Sequence, residues 1–117
     1  MRYRVCHVED IPRGEKQTYT FKNLPIVVVH DKHGEFHAIY ERCPHQGARL
    51  GAGTLGGQTA APEPGTAFEY VREGEILRCP WHGFSYDVTT GACLTAERLR
   101  VKTYPLIIDN HELFLNL

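Results

Sequence analysis

The stretch Cys79-Pro80-Trp81-His82-Gly83-Phe84-Ser85-Tyr86-Asp87 is the most informative part of this 117-residue chain. An earlier stretch, Cys43-Pro44-His45-Gln46-Gly47-Ala48, repeats its order of a cysteine, a proline, a histidine and a glycine. Thirty-three residues separate the first histidine from the second cysteine. Each stretch therefore offers one thiolate and one imidazole on a turn that proline stiffens.

The spacing within each stretch limits how a metal could bind. Cys43 and His45 are two positions apart and span roughly 7 Å at full extension. One ion held by both side chains would need a cramped chelate, whereas two adjacent ions fit that span. The sequence thus predicts a centre with two inequivalent metal ions. Its candidate ligands are Cys43, His45, Cys79 and His82.

The pattern Cys-x-His followed by Cys-x-x-His resembles the Rieske [2Fe–2S] family, in its soluble, low-potential ferredoxin branch. Similarity extends to residues 9–15 near the start and to Tyr104-Pro105-Leu106 near the end, so it covers nearly the whole chain. The resemblance implies one [2Fe–2S] cluster. By that resemblance Cys43 and Cys79 hold the inner iron, and His45 and His82 hold the outer iron.

Four neighbours of these ligands have roles that the resemblance implies. Gly47 and Gly83 would let backbone amides approach the bridging sulfides. Trp81 would shield the cluster from water, and Tyr86 matches the family's tyrosine donor to a cluster ligand. Phe84 stands where high-potential members carry a serine donor. We therefore expect a midpoint potential of roughly −150 to 0 mV, the lower part of the Rieske range.

Such a centre can carry an electron but offers no open site for a substrate, because protein or sulfide fills every iron position. The resemblance implies a one-electron carrier, and not an enzyme, that passes electrons from a flavoprotein reductase to a terminal oxygenase or similar oxidoreductase. Two alternatives stay open. One is a small subunit of a larger oxidoreductase, as in nitrite reductase systems. The other is a structural zinc module, since two Cys and two His also suit zinc.

Composition excludes some partners and predicts a compartment. The formal net charge of −1 argues against nucleic acid and against an anionic membrane as the main partner. No apolar run approaches the roughly 20 residues that span a bilayer, and the start lacks a secretory signal pattern. A cytoplasmic location is therefore expected, with Cys6 and Cys93 as buried free thiols.

Short β-branched runs separated by turn residues predict an all-β antiparallel fold. The clearest hairpin joins Ile26–His30 to Glu35–Tyr40, directly before the first cysteine. We expect a single domain over residues 1–117, in which a cluster-binding lobe of residues 43–91 is inserted into a base of residues 1–42 and 92–117.

Three further expectations concern less regular parts of the chain. Residues 51–74 are rich in Gly and Pro and predict a tolerated surface loop, although Phe68 and Tyr70 could shape a docking face or a strand near 67–71. Val101–Ile108 is expected to form one strand of the last hairpin. The remaining histidines are expected on exposed faces or turns without a function. They are His7, His30, His33, His37 and His111.

Overall fold

The computed structural model describes residues 2–44, 48–60, 69–80 and 84–117, with the backbone alone for residues 58–60, 69 and 70. The strands in the described residues form three antiparallel sheets, so the predicted all-β class is confirmed. Two short 3₁₀ helices, Val8–Asp10 and Leu50–Ala52, interrupt them. The strands are β1 Arg2–His7, β2 Lys16–Phe21, β3 Leu24–His30, β4 Phe36–Tyr40, β5 Thr54–Ala60, β6 Glu69–Arg78, β7 Ser85–Asp87, β8 Thr103–Tyr104, β9 Leu106–Asp109 and β10 Glu112–Asn116.

The sheet β2-β3-β4-β8 is the middle layer of the molecule, and the other two sheets are β1-β10-β9 and β5-β6-β7. Successive residues of β3 point to opposite faces of the middle sheet. Val27 and Val29 enter one apolar core, and Ile26 and Val28 enter a second core. All four are fully buried. Burial of each such side chain contributes about 1.5–3 kcal/mol, so β3 anchors both cores.

The first core lies on the side of β5-β6-β7 and includes both predicted cysteine ligands, Cys43 and Cys79. The second core packs β1 and β10 against the opposite face of the middle sheet, through side chains such as Leu113 and Leu115. Strand β4 ends at Tyr40, three residues before Cys43, and β6 ends at Arg78, one residue before Cys79. Two rigid strands therefore deliver the two cysteine-bearing segments to one core.

The last predicted strand, Val101–Ile108, was wrong as a single element. Pro105 has no N–H to donate to a sheet ladder, and the strand divides there. Thr103–Tyr104 pairs with β4 of the middle sheet, whereas Leu106–Asp109 pairs with β10 of another sheet. The proline thus marks the point where the chain passes between two layers.

The prediction of a surface loop over residues 51–74 was wrong for residues 54–60 and 69–74, which lie in strands, and residues 61–68 lie outside the described residues. Strands β5 and β6 pair over most of their length and form a long hairpin with a bulge between Gly56 and Gln58. At the bulge, a side chain on Gly57 would collide with the carbonyl oxygen of Val71. The alternative of a strand near 67–71 is right from Glu69 onward. Phe68 and the side chain of Tyr70 lie outside the described residues.

Two of the histidines assigned to exposed faces are partly buried and hydrogen-bonded instead. The ring of His30 lies 2.7 Å, Nδ1 to oxygen, from the Ile11 carbonyl and stacks on Phe36. His37 Nε2 lies 2.8 Å from Asp31 Oδ2. That carboxylate also accepts from two backbone amides of its own turn. Both histidines therefore fix the connection between β3 and β4.

We expect Gly91→Ala to destabilise the fold more than Gly34→Ala. Both residues have a positive φ, +83° and +91°, so both substitutions carry a similar backbone strain. A methyl group at Gly91 also meets the carbonyl of Val101, whereas at Gly34 it meets the flexible end of Arg13. Urea unfolding followed by circular dichroism should show a loss larger for Gly91→Ala by about 1–2 kcal/mol. Equal losses would show that the Val101 backbone moves aside.

Candidate metal centre

Two segments that carry the predicted ligands are closed in the same way. The amide of Cys43 donates to the carbonyl of Ala48 over 2.8 Å, and the amide of Cys79 donates to the carbonyl of Phe84 over 2.7 Å. Each bond joins a cysteine to the fifth residue after it. The antiparallel pair Arg42–Arg49 flanks the first loop. The pair Arg78–Ser85 flanks the second loop at the same spacing.

Both cysteines lie in the same apolar core outside any disulfide, and they are 1% and 3% exposed. Cys6 and Cys93 are also buried and free, as expected. The turns that would carry His45, Gly47, Trp81, His82 and Gly83 lie outside the described residues. The structure therefore brings the two thiol ligands into one core, while the roles of the histidines and of their neighbours stay predictions.

Tyr86 contacts the first of these thiols. Its hydroxyl oxygen lies 3.1 Å from Cys43 Sγ, and the ring is fully buried in the core that holds both cysteines. Burial, followed by the bond to Cys43, raises the pKa of Tyr86. The phenol therefore keeps its proton and donates to the sulfur when Cys43 is a thiolate.

A salt-bridge network holds the strand that carries Tyr86. Asp87 accepts from the amide of Thr89 over 2.9 Å and from Arg72 Nη2 over 2.7 Å. Burial by itself would raise the pKa of Asp87, but the hydrogen bonds from Thr89 and Arg72 outweigh it and lower that pKa. Arg72 also pairs with Glu75 on β6. These side chains fix β7 against β6 and so orient the tyrosine next to them.

Only part of this network has a signal in the sequence. The spacing of Asp87 and Thr89 is a recognisable turn signal, since an aspartate often accepts from the amide two residues on. The partner Arg72 lies in the segment taken for a loop, so the sequence offered no signal for its position. Only the pairing of β6 with β7 brings the two residues together.

The described part of this site fits a metal centre that requires thiolate ligands. Two buried thiols share one core without forming a disulfide, and a buried phenol lies within hydrogen-bonding distance of one of them. Soft sulfur donors of this kind select zinc, copper(I) or an iron–sulfur cluster over hard ions such as magnesium. The two matching loops agree with a centre that takes one thiolate from each. This donor set by itself does not separate zinc from a cluster.

Tyr86→Phe should lower the midpoint potential of the bound centre by roughly 30–100 mV. A hydrogen bond to a charged sulfur is worth about 1.5–3 kcal/mol, part of which is lost differentially from the more negative reduced state. A potentiometric titration followed by absorption checks this shift. Tyr40→Phe removes a hydroxyl from the middle sheet and serves as the control, with an unchanged potential. An unchanged potential in Tyr86→Phe would mean that the hydroxyl does not sense the electron.

Among the described residues, no helix is long and apolar enough to cross a membrane.

The structure also groups Asp31, Glu35 and His37, which are the residue types of a metal site. Asp31 accepts from the amides of His33 and Glu35 and contacts His37. These bonds account for the group as the cap of a turn.

Comparison with known proteins identifies the family. The family model of the Rieske [2Fe-2S] domain matches residues 1–105. The chain is 28% identical to the 3-phenylpropionate/cinnamic acid dioxygenase ferredoxin subunit of Escherichia coli (strain K12), over 99% of this chain and 93% of that protein. It is 34% identical over 87 residues to Apoptosis-inducing factor 3 of Homo sapiens, a match that spans 74% of this chain but only 11% of that protein.

A solved structure has the same fold over nearly the same length. It is the ferredoxin of carbazole 1,9a-dioxygenase from Nocardioides aromaticivorans IC177, with a TM-score of 0.77 and 23% sequence identity. The alignment covers 98% of this chain and 96% of that chain. Together with the family match, the closed pair of cysteine loops in one core leads to one conclusion: the chain belongs to the Rieske domain family, whose cofactor is a [2Fe–2S] cluster.

Proposed function

We propose that this chain is a one-electron carrier that receives electrons from a flavoprotein reductase and delivers them to a terminal oxygenase. The observation that carries the proposal is the pair of matching loops that bring Cys43 and Cys79 into one buried core. The full-length similarity to a dioxygenase ferredoxin subunit supports the choice of partners. Such a carrier is a component of an oxidoreductase system and not an enzyme by itself.

We assign the ligands as the family pattern does. Cys43 and Cys79 hold the inner iron, and His45 and His82 hold the outer iron. A cluster bound in this way stores one electron at a time, at a potential raised by its two neutral imidazole ligands. The protein's own contribution is to bury the sulfur side and to keep the Tyr86 hydroxyl on Cys43.

The ligand-bearing lobe of residues 43–91 and the base of residues 1–42 and 92–117 remain our proposed division of the single domain. The sheet β5-β6-β7 falls within the first range, and the strands of the other two sheets fall within the second. We also propose that the protein acts in the cytoplasm, where reducing conditions keep its four cysteines out of disulfides.

A reductive titration tests the carrier function. We expect the purified protein to take up one electron per chain reversibly, with a midpoint near −150 to 0 mV. NADH with a flavoprotein reductase should then reduce two chains per NADH. A midpoint well above about +150 mV would contradict the low-potential assignment. A colourless protein that takes up no electron would favour the zinc alternative.

Size-exclusion chromatography of the protein from its natural host separates the two carrier hypotheses. A freestanding ferredoxin should elute near its own mass of 13.3 kDa. Stable elution with a larger oxidoreductase would favour the alternative of a permanent small subunit.

A further inference from the structure

Three exposed arginines surround the bases of the two cysteine loops. Arg42 directly precedes Cys43, Arg78 directly precedes Cys79, and Arg49 lies opposite Arg42 in an antiparallel pair. The side chain of Arg49 is 59% exposed. We call Arg42, Arg49 and Arg78 the arginine collar.

The collar places like charges together at a cost to stability. Two arginines directly opposite each other across a ladder repel, by a few tenths of a kcal/mol up to about 1 kcal/mol. The buried carboxylate of Glu41 offsets part of this repulsion, because its Oε1 accepts from Arg49 Nε over 3.1 Å. The charged residues of 41–53 and 78–86 are these three arginines and Glu41. Together these two ranges have a formal charge of +2.

Some arginines elsewhere in the described chain are matched by carboxylates. Arg2 pairs with Asp109, and Arg4 pairs with Glu112. Arg72 pairs with both Asp87 and Glu75. The loop bases differ, because their sequence contains three arginines and a single carboxylate, Glu41.

The neighbouring segment adds to this excess. Leu94 lies beside the second loop, because its amide donates to the carbonyl of Ser85 over 2.7 Å. With residues 87–102 included, the segments around the loops carry six Lys or Arg and three Asp or Glu, a formal charge of +3. The rest of the chain carries seven Lys or Arg and eleven Asp or Glu, a formal charge of −4. A protein of net charge −1 is thus strongly polarised, with its positive end at the cysteine loops.

We propose that the arginine collar selects a redox partner protein with an acidic docking face. The inference rests on the proposed function, since the loops would be the point where the electron leaves. Complementary charge speeds encounter by about 10- to 1,000-fold at low salt and turns the positive end toward the partner. An acidic face fits this end, whereas a basic face would be repelled.

Two small oxidants of opposite charge test the sign of the electrostatic potential around the cysteine loops. The reduced holoprotein is mixed in stopped flow with hexacyanoferrate(III), a trianion, or with tris(phenanthroline)cobalt(III), a trication. Each takes one electron from one protein molecule. We compare the rate constant for the anion divided by that for the cation, because a small change in midpoint potential affects both and cancels. This anion-to-cation ratio should fall toward a charge-independent value as the salt concentration rises from about 10 mM, since salt screens the charges.

Matched variants separate charge from other properties of the collar. Arg42→Gln/Arg78→Gln should lower the anion-to-cation rate ratio by about 10-fold or more at low salt. Arg42→Lys/Arg78→Lys also removes the hydrogen bond that Arg78 Nε donates to Ser85 Oγ but keeps the charge, so it should keep the ratio. Arg2→Gln/Arg4→Gln, on the sheet beyond the middle layer, changes net charge equally and should leave the ratio nearly unchanged.

A second readout does not depend on the bound cluster. At pH 7 and low salt the wild-type protein should bind a sulfopropyl cation exchanger despite its net charge of −1, and the Gln double variant should elute earlier than the Arg2/Arg4 variant. Equal ratios in the wild type and the Gln variant, with an electron still taken up, would overturn the collar proposal alone. A protein that takes up no electron would instead overturn the proposed function, while the exchanger still tests the collar.

Discussion

Replacing Cys79 by alanine is expected to abolish binding of the [2Fe–2S] cluster. The inner iron would lose one of its two proposed thiolates, and the alanine methyl group offers no ligand atom in its place. We expect a colourless protein with less than about one tenth of the wild-type iron, because removing even a group that only orients a metal ligand costs about 10- to 100-fold in metal affinity. Iron and acid-labile sulfide analysis, together with the visible spectrum, measures the loss.

Cys93→Ala is the matched control for this variant. Cys93 is also a buried free thiol in the core that contains Cys43 and Cys79. The substitution should cost about 1 kcal/mol of unfolding free energy and leave the iron content unchanged. A cluster retained in Cys79→Ala but lost in Cys93→Ala would show that the ligand assignment is wrong.

His82→Cys should lower the midpoint potential by at least about 100 mV, provided that the cluster assembles. A thiolate in place of a neutral imidazole adds a negative charge next to the iron, so an added electron meets more repulsion. The difference between Rieske centres and all-cysteine ferredoxins, which lie near −400 mV, has the same sign. Spectroelectrochemistry of the variant measures the shift.

His33→Cys controls for the mere addition of a thiol. His33 lies in the exposed turn between β3 and β4, where its Nε2 is 3.4 Å from a carboxylate oxygen of Glu75. Its replacement should leave the midpoint potential within about 20 mV of the wild type, because a neutral thiol in this exposed turn adds no charge near the cluster. If the His82→Cys cluster assembles and keeps the wild-type potential, the charge argument fails.

The middle of the fold could be predicted from the sequence because its physical signals are local. The run Ile26–Val29 is β-branched and apolar on both faces, which is typical of a strand covered on two sides. The structure buries all four residues between two layers. The hairpin that they begin ends at Tyr40, directly before the first ligand loop, as expected.

The hairpin of β5 and β6 could not be predicted because its glycines are compatible with two different structures. Glycine is common in loops, but it is also required where a bulge brings two backbones together, as at Gly57 and Val71. Only the pairing partner decides between these readings. The same limit applies to Pro105, whose position indicates that a strand ends but not which sheet each half joins.

The candidate site followed from the sequence more directly than its surroundings did. The ligand types and their spacing are contained in two short stretches, and the family match supports the cluster that they indicate. The contacts that hold these stretches in place join residues that are far apart in the sequence. Arg72 reaches Asp87, and Tyr86 reaches Cys43, only after three strands have paired.

The central claim is that two thiolates hold one iron and two imidazoles hold the other. Pulsed electron paramagnetic resonance of the reduced protein, labelled with ¹⁵N at histidine, tests it most directly. We predict one unpaired electron per pair of irons, with strong couplings to two inequivalent histidine nitrogens that both disappear when His45 and His82 are replaced. A reduced cluster without histidine coupling, or an iron-free protein after anaerobic reconstitution, would contradict the claim.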